Sequence, residues 1–253
     1  MAFTADGQEF EKNIIIGRNP VTEALKAKKS IDTLYVSKDA TGSINHICKM
    51  AKDQGIVVKN VDDKKLSMMS NGASHQGVVA IGGCAEYVSV DDILAVSEEK
   101  GTPPFIIICD EIEDPHNLGA IIRTAEAGGA DGVIIPKRHS ASLNFTVNKT
   151  SAGAASWVPV ARVPNIPSTI DYLKKKGVWI DGTDAIGENY TTADFKGAVA
   201  LVIGSEGNGI GRLVRELCDF VVSLPMTGKI NSLNASVATG ILLYEAVRQR
   251  GKN

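Results

Sequence analysis

The chain has 253 residues, 43% hydrophobic and 5% aromatic, with a formal charge of −2. That length can bury one large core or two small ones, and so weak a charge singles out no class of partner. No apolar run approaches the roughly 20 residues of a membrane span. The opening residues, Met1 to Phe10, lack the basic start and apolar middle of a secretory signal and are expected to form a loose tail. Cys48, Cys84, Cys109 and Cys218 lie far apart with no Cys-x-x-Cys pair, so neither a zinc site nor a redox motif is expected, and a reducing, cytoplasmic compartment fits. Charge is uneven: residues 11–85 hold 11 Lys and Arg against 7 Asp and Glu, whereas residues 86–253 hold 16 against 20. A mildly basic front half permits nucleic-acid contact without demanding it, and ordinary solvated lysines explain it as well.

Taken in order, Asn19-Pro20 reads as a helix start with Asn at the cap. Leu34–Val36 and Ile56–Val58 read as strands. Ser43 is expected to cap a helix whose Ile44, Ile47, Cys48 and Ala51 share a face, and Asp62 another running through Met69. A turn at Ser74–Gly77 precedes strand Val78–Ile81. This alternation predicts a compact α/β unit over 14–85. The polar stretch 86–103, with one helix from about Val90 and ending in Gly101-Thr-Pro-Pro104, reads as a linker. From Phe105 the pattern changes to continuous apolar runs. Phe105–Cys109, Gly132–Pro136, Val158–Ala161, Val178–Ile180 and Val199–Ile203 are expected as strands of a parallel sheet covered on both faces. Helices are expected at about 118–127, 166–175 and 235–248.

Three strand-to-helix junctions in the back half carry polar clusters. The first is Asp110–Gly119 followed by Arg123, whose bland role would be an ion pair with Glu126 or Glu113. The second is Gly204-Ser-Glu-Gly-Asn-Gly-Ile-Gly211, where four glycines let backbone approach a ligand closely. It fails the dinucleotide fingerprint, since Arg212 or Val214 stands where the third glycine belongs, and no phosphate-binding P-loop exists. The third is Leu224-Pro-Met-Thr-Gly-Lys-Ile-Asn-Ser-Leu-Asn-Ala-Ser-Val-Ala238. It puts Asn231, Ser232 and Asn234 at a helix mouth, where unpaired N–H groups invite either capping or a ligand. The junctions suggest one pocket at the carboxyl ends of the strands, with Asn117, Arg123, Glu206, Ser232 and Asn234 converging. His116 is expected in a loop, and no catalytic Ser-His-Asp set or metal-ligand spacing is present.

The segments Asn117–Ala125, Leu201–Ile210 and Leu224–Ala238 resemble, in order, the three motifs of the SpoU (TrmH-like) family, RNA ribose 2′-O-methyltransferases of the SPOUT superfamily. Gly17–Leu25 and His75–Val79 resemble the small L30e-like RNA-binding domain of the RlmB type, which methylates a guanosine of 23S rRNA. The resemblance implies an α/β fold with a deep trefoil knot in a catalytic domain over 104–253, an L30e-like substrate-binding domain over 14–85, and a homodimer. It implies S-adenosylmethionine as methyl donor, held by Gly204, Leu224 and Leu233 with Met226 and Thr183 as neighbours, and no metal. Functional side chains are carried over to Asn117, Arg123, Glu206, Ser232 and Asn234; Asn231 stands where many relatives carry glutamate and keeps the bland reading. A 2′-hydroxyl is a poor nucleophile at neutral pH, so it needs proton removal or tight positioning. Arg123 is an awkward base, because guanidinium keeps its proton beyond a pKa of about 12. It either orients an RNA phosphate or is activated by one, and Glu206 is the other candidate base. Transfer RNA, or a ribosomal site whose methylation confers antibiotic resistance, would use the same chemistry. A non-catalytic RNA-binding protein is the rival of a different class.

Overall fold

A computed structural model describes residues 14–83, 85–207 and 209–251; the expected N-terminal tail and Cys84 lie outside them. The described residues form two compact units, one within 14–85 with 142–145 and one within 86–141 with 146–251.

The first unit holds β1 (Ile14–Ile16), α1 (Arg18–Lys26), β2 (Ile31–Ser37), α2 (Ile44–Asp53), β3 (Val57–Val61), α3 (Asp63–Met69) and β4 (Val78–Gly82). Its sheet runs β1-β4-β2-β3, with β2 parallel to β3 and β4 antiparallel to both β1 and β2. Strand alternation sorts the core into two faces. Leu34, Val36, Val78 and Ala80 meet Val21, Leu25, Ile44 and Ile47 of α1 and α2, while Val79, Tyr35 and Ile81 meet Leu66 and Met69 of α3. Helix α1 starts at Arg18 after Gly17, whose φ of 93° suits glycine, so Asn19 and Pro20 sit inside the first turn and Asn19 is not the cap. Ser43 and Asp62 occupy N-cap positions but neither side chain makes a cap hydrogen bond.

The second unit opens with α4 (Val90–Lys100) where the sequence suggested a linker. Ser89 and Asp92 form a reciprocal capping box, and Ile93 and Leu94 pack into the core, so the stretch is an integral layer of this unit. Then follow β5 (Phe105–Cys109), α5 (Pro115–Ala127), β6 (Gly132–Pro136), α6 (Phe145–Thr150), the short 3-10 turn Ala154–Ser156, β7 (Val160–Val163), α7 (Ile166–Lys175), β8 (Trp179–Asn189), a 3-10 turn Tyr190–Thr192, β9 (Val199–Ile203), α8 (Arg212–Leu217), β10 (Phe220–Ser223) and α9 (Ala235–Gln249). Helix α5 begins three residues before the expected Leu118, because Asp114 caps it and Pro115 occupies its first turn.

All neighbours in the sheet order β10-β8-β9-β5-β6-β7 run parallel. Every residue of β5, β6 and β9 is buried, as their unbroken apolar runs require. Ile106, Ile108, Ile134, Ala200 and Val202 face α4, α7 and Val214 of α8. α5 and α9 pack against each other, α5 also against β6 and α9 against β9. The chain builds outward through β5, β6 and β7, then crosses back to lay β9 on the other side of β5. That reversal opens a crevice at the carboxyl ends of β5 and β9, where open α/β sheets bind ligands. No helix among the described residues is long and apolar enough to cross a membrane.

Candidate active site

Three local devices shape the crevice. After Ile203 the glycine loop folds back on itself, Ser205 N–H donating to Gly209 O at 3.1 Å and Gly209 N–H to Ser205 O at 2.9 Å. A Cβ on Gly204 would lie 2.1 Å from the Gly209 carbonyl carbon, so only glycine admits this closure. Asp110, at the end of β5, accepts the Gly211 N–H at 2.8 Å and clamps the foot of the loop. Burial pushes the Asp110 carboxyl above its ordinary pKa, partly offset by that hydrogen bond. The third device lies in β8. Its pairing with β10 jumps from Gly182↔Val221 to Glu188↔Val222, which throws residues 183–187 out of register.

These devices enclose a cavity of about 290 Å³ lined by Thr183, Gly204, Glu206, Leu224, Met226 and Leu233, with Asn231 and Ser232 on its wall. Ser205, Glu206 and Gly207 separate it from a second cleft lined by Glu111, Ile112, Glu113, Asp114 and Asn117.

Across that wall three side chains lock together. Asn234 is the N-cap of α9: its Oδ1 accepts from Ser236 N–H at 3.0 Å and Val237 N–H at 3.3 Å. With the oxygen committed to backbone donors, the amide nitrogen must point the other way. It donates to Asn117 Oδ1 at 2.9 Å and to Glu206 Oε1. Asn117 is itself buried and passes its own Nδ2 to Glu206 Oε1 at 3.1 Å. Capping and site chemistry are therefore one arrangement, in which the cap fixes which atom meets the carboxylate.

Thr183, Gly204, Leu224, Met226 and Leu233 thus share one cavity, with Glu206 and Ser232 on its lining and Asn117 and Asn234 bonded to Glu206. Arg123 is not brought to them. Six positions along a helix is one and two-thirds turns, so Arg123 leaves α5 on a different side from Asn117 and is exposed. It makes no ion pair among the described residues, with Glu126 and Glu113 included. His116 is the second residue of α5, not a loop residue. Asn231, given only the bland reading of a helix-mouth cap, lines the cavity. Asp110 holds the foot of the loop and Asp184 lines the cavity, and the sequence singles out neither. Asp110 follows an apolar strand at the crevice and could have been noticed by that position; Asp184 depends on the β8 register jump, which leaves no sequence signal.

The donor set suits S-adenosylmethionine. Leu224, Leu233, Met226, Val222 and Leu242 offer an apolar wall, the Gly204–Gly209 backbone gives close approach, and among the described residues no lysine or arginine lines the cavity to repel a sulfonium. Its size is near the lower end, roughly 300 Å³, of small-molecule sites. Among the described residues no cluster of His, Cys, Asp or Glu could hold a metal ion.

A parallel sheet covered by helices on both faces, with a polar network in its switch-point crevice, has counterparts among known proteins. Residues 104–244 match the SpoU rRNA methylase family, and residues 14–87 match a model described as RNA 2′-O ribose methyltransferase substrate binding. The chain belongs to the SpoU family of RNA methyltransferases. It is 48% identical to a Bacillus subtilis (strain 168) protein described as a TrmH family tRNA/rRNA methyltransferase, over 95% of this chain and 97% of that one. A Staphylococcus aureus (strain MSSA476) relative of the same description is 46% identical over 95% of this chain and 98% of its own. Among solved structures, the SpoU methyltransferase AviRb of Streptomyces viridochromogenes in complex with AdoMet is 27% identical. It superposes with a TM-score of 0.61 over 94% of this chain and 90% of that one. An AdoMet-bound rRNA methyltransferase of Sinorhizobium meliloti gives 28% and 0.59 over 93% and 87%.

Proposed function

We propose that the protein transfers a methyl group from S-adenosylmethionine to a ribose 2′-oxygen of RNA, with a guanosine of 23S rRNA as its target. The observation that carries this reading is the shared wall: Glu206 lines the donor-shaped cavity on one side and, with Asn117, the open cleft on the other. Bound in the cavity, the donor supplies an electrophilic methyl on a cationic sulfur. Leu224, Leu233 and Met226 keep water from it. Glu206 holds the incoming 2′-hydroxyl with the carboxylate oxygen that the two amides leave free and takes its proton as the oxygen–methyl bond forms and the sulfur–methyl bond breaks, and the amides of Asn117 and Asn234 fix the carboxylate's direction. Ser232 closes the lip of the cavity.

Arg123 fits this scheme as an RNA phosphate ligand brought in by dimerisation. Val237, Ile241 and Tyr244 are 51%, 38% and 52% exposed and repeat along one stripe of α9, which packs on α5. An apolar stripe of this kind asks for a partner, and a homodimer through it would bring Arg123 of α5 to the interface. The reading extends to the trefoil threading of the C-terminal segment around the 183–187 bulge, and to an L30e-like RNA-binding role for the first unit, which the match over residues 14–87 supports. The relatives named for both tRNA and rRNA make transfer RNA the second reading for the substrate.

Calorimetric titration with S-adenosylmethionine, paired with mass-spectrometric mapping of ribose methylation in RNA from cells with and without the gene, tests the proposal. Donor binding and one lost 2′-O-methylguanosine in 23S rRNA are expected. Absence of donor binding would leave a non-catalytic RNA-binding protein, and a methyl lost only from tRNA would redirect the substrate.

A further inference from the structure

The crevice has an inside and a rim of opposite charge. Among the described residues, the cleft beside the Glu206 network is lined by Glu111, Glu113, Asp114 and Glu206 and by no lysine or arginine, and the donor cavity likewise holds neither. A phosphate cannot be seated against such walls without uncompensated repulsion. Yet a ribose within an RNA strand carries a phosphate on each side, and both must lie close to wherever the ribose is held.

The rim supplies what the interior lacks. Lys137 and Arg138 follow β6, and Lys149 lies in the last turn of α6. Three contacts tie these segments to the cleft. Ala141 N–H donates to Ile112 O at 2.7 Å, His139 Nδ1 lies 3.3 Å from Glu113 Oε1, and Thr150 Oγ1 lies 3.4 Å from His116 Nδ1. Closely packed backbone reinforces this: a Cβ on Gly119 of α5 would meet Thr150 at 2.7 Å. Elsewhere in this unit several cations are consumed internally, whereas Arg123, Lys175 and Lys196 make no ion pair among the described residues. Lys100 pairs with Asp131, Lys174 with Asp219, Arg215 with Asp184 and Arg248 with Glu245, and Arg250 is spent on backbone carbonyls. Lys137, Arg138 and Lys149 have no ion pair or hydrogen-bond partner among the described residues. Three uncompensated cations on one rim of an acidic cleft constitute a surface for a polyanion, not a set of stabilising salt bridges.

We propose that Lys137, Arg138 and Lys149 bind the phosphates flanking the target ribose, while the acidic cleft refuses phosphate and so admits only the sugar and its base. The inference rests on RNA being the substrate. The division of charge sorts the strand: the backbone is held outside and the 2′-hydroxyl is delivered to Glu206.

The test compares the intact protein with a K137A/R138A/K149A variant, and with a K175A/K196A control whose lysines precede β8 and β9 at the opposite, amino edge of the sheet. Binding of a labelled oligouridylate is measured as a function of salt, with the S-adenosylmethionine Kd as the check that the unit is folded. The triple variant is expected to lower the slope of log K against log salt by about 0.7 for each cation removed, or about 2 in all, while donor affinity stays unchanged. The control should keep the wild-type slope. An unaltered slope in the triple variant, or an equal loss in the control, overturns the rim assignment while leaving the methyltransferase reading intact. Wild-type protein that binds the donor but shows no salt-dependent RNA binding overturns both. Should the triple variant lose donor binding, single charge-neutralising Gln variants decide by the same slope, at about 0.7 each.

Discussion

Asn234 shows how one side chain serves folding and chemistry together. Its oxygen caps α9 and its nitrogen binds Glu206 and Asn117. Asn234→Asp keeps an excellent cap but replaces the donor by a second carboxylate facing Glu206. Methyl transfer should fall by about a hundredfold or more, the scale of losing a preorganised electrostatic contact, with thermal stability changed little. Asn234→Ala should in addition lose about 1 kcal/mol of capping. A methyltransferase assay beside thermal melting separates the two, and equal activity in Asn234→Asp and wild type would refute the polarity argument. A second residue makes a pH prediction. Asp181 is buried on β8 with one oxygen lacking a partner, and burial together with Asp219 and Asp194 raises its pKa from 3.8 to about 7. Between those values the folded state holds a proton that the unfolded chain has released, so stability should decline as pH rises from about 4 to about 7 and stay reduced above it. Asp181→Asn should flatten that decline and raise Tm near pH 8, by about 2–4 °C for each kcal/mol recovered.

At the scale of elements, the site depends on how segments close on one another. Gly204→Ala forces a Cβ into the backbone at Gly209, and backbone cannot yield as a side-chain end does. The loop carrying Glu206 must open, so donor affinity should drop at least tenfold, the order expected from displacing preorganised groups by about an ångström. Calorimetry checks this, and a wild-type Kd would show that the loop's closure is not needed. The glycine loop, the capped start of α9 and the apolar strands were all legible in the sequence, because caps, glycine clusters and continuous hydrophobic runs are local signals. The β8 register jump was not, since it arises from pairing with β10, some forty residues on. The early start of α5 should have been readable from Asp114-Pro115, a cap and first-turn proline.

For the whole molecule, the exposed stripe Val237, Ile241 and Tyr244 argues for self-association. Tyr244→Asp places a charge on that face. Sedimentation should shift from dimer to monomer, and activity should fall with it if Arg123 acts across the interface. A monomeric wild-type protein with full activity would refute this arrangement.

By itself the sequence determined the α/β class, the parallel sheet and the polar junctions that hold Asn117, Glu206, Ser232 and Asn234. These follow from periodicity and from residue types with strong local preferences. Its motifs also carried the family resemblance, which named the residues of the cavity. Tertiary structure alone decided that Asn117, Glu206 and Asn234 bond to one another across 117 positions of chain, and that Asp110 clamps the glycine loop. It also decided that residues 183–187 bulge to form a wall, and that Arg123 stands apart from the cluster it was expected to join. The reason is geometric. Local propensity fixes what a segment becomes, but which segments meet, and on which side of a helix a residue emerges, is set by how the sheet orders its strands.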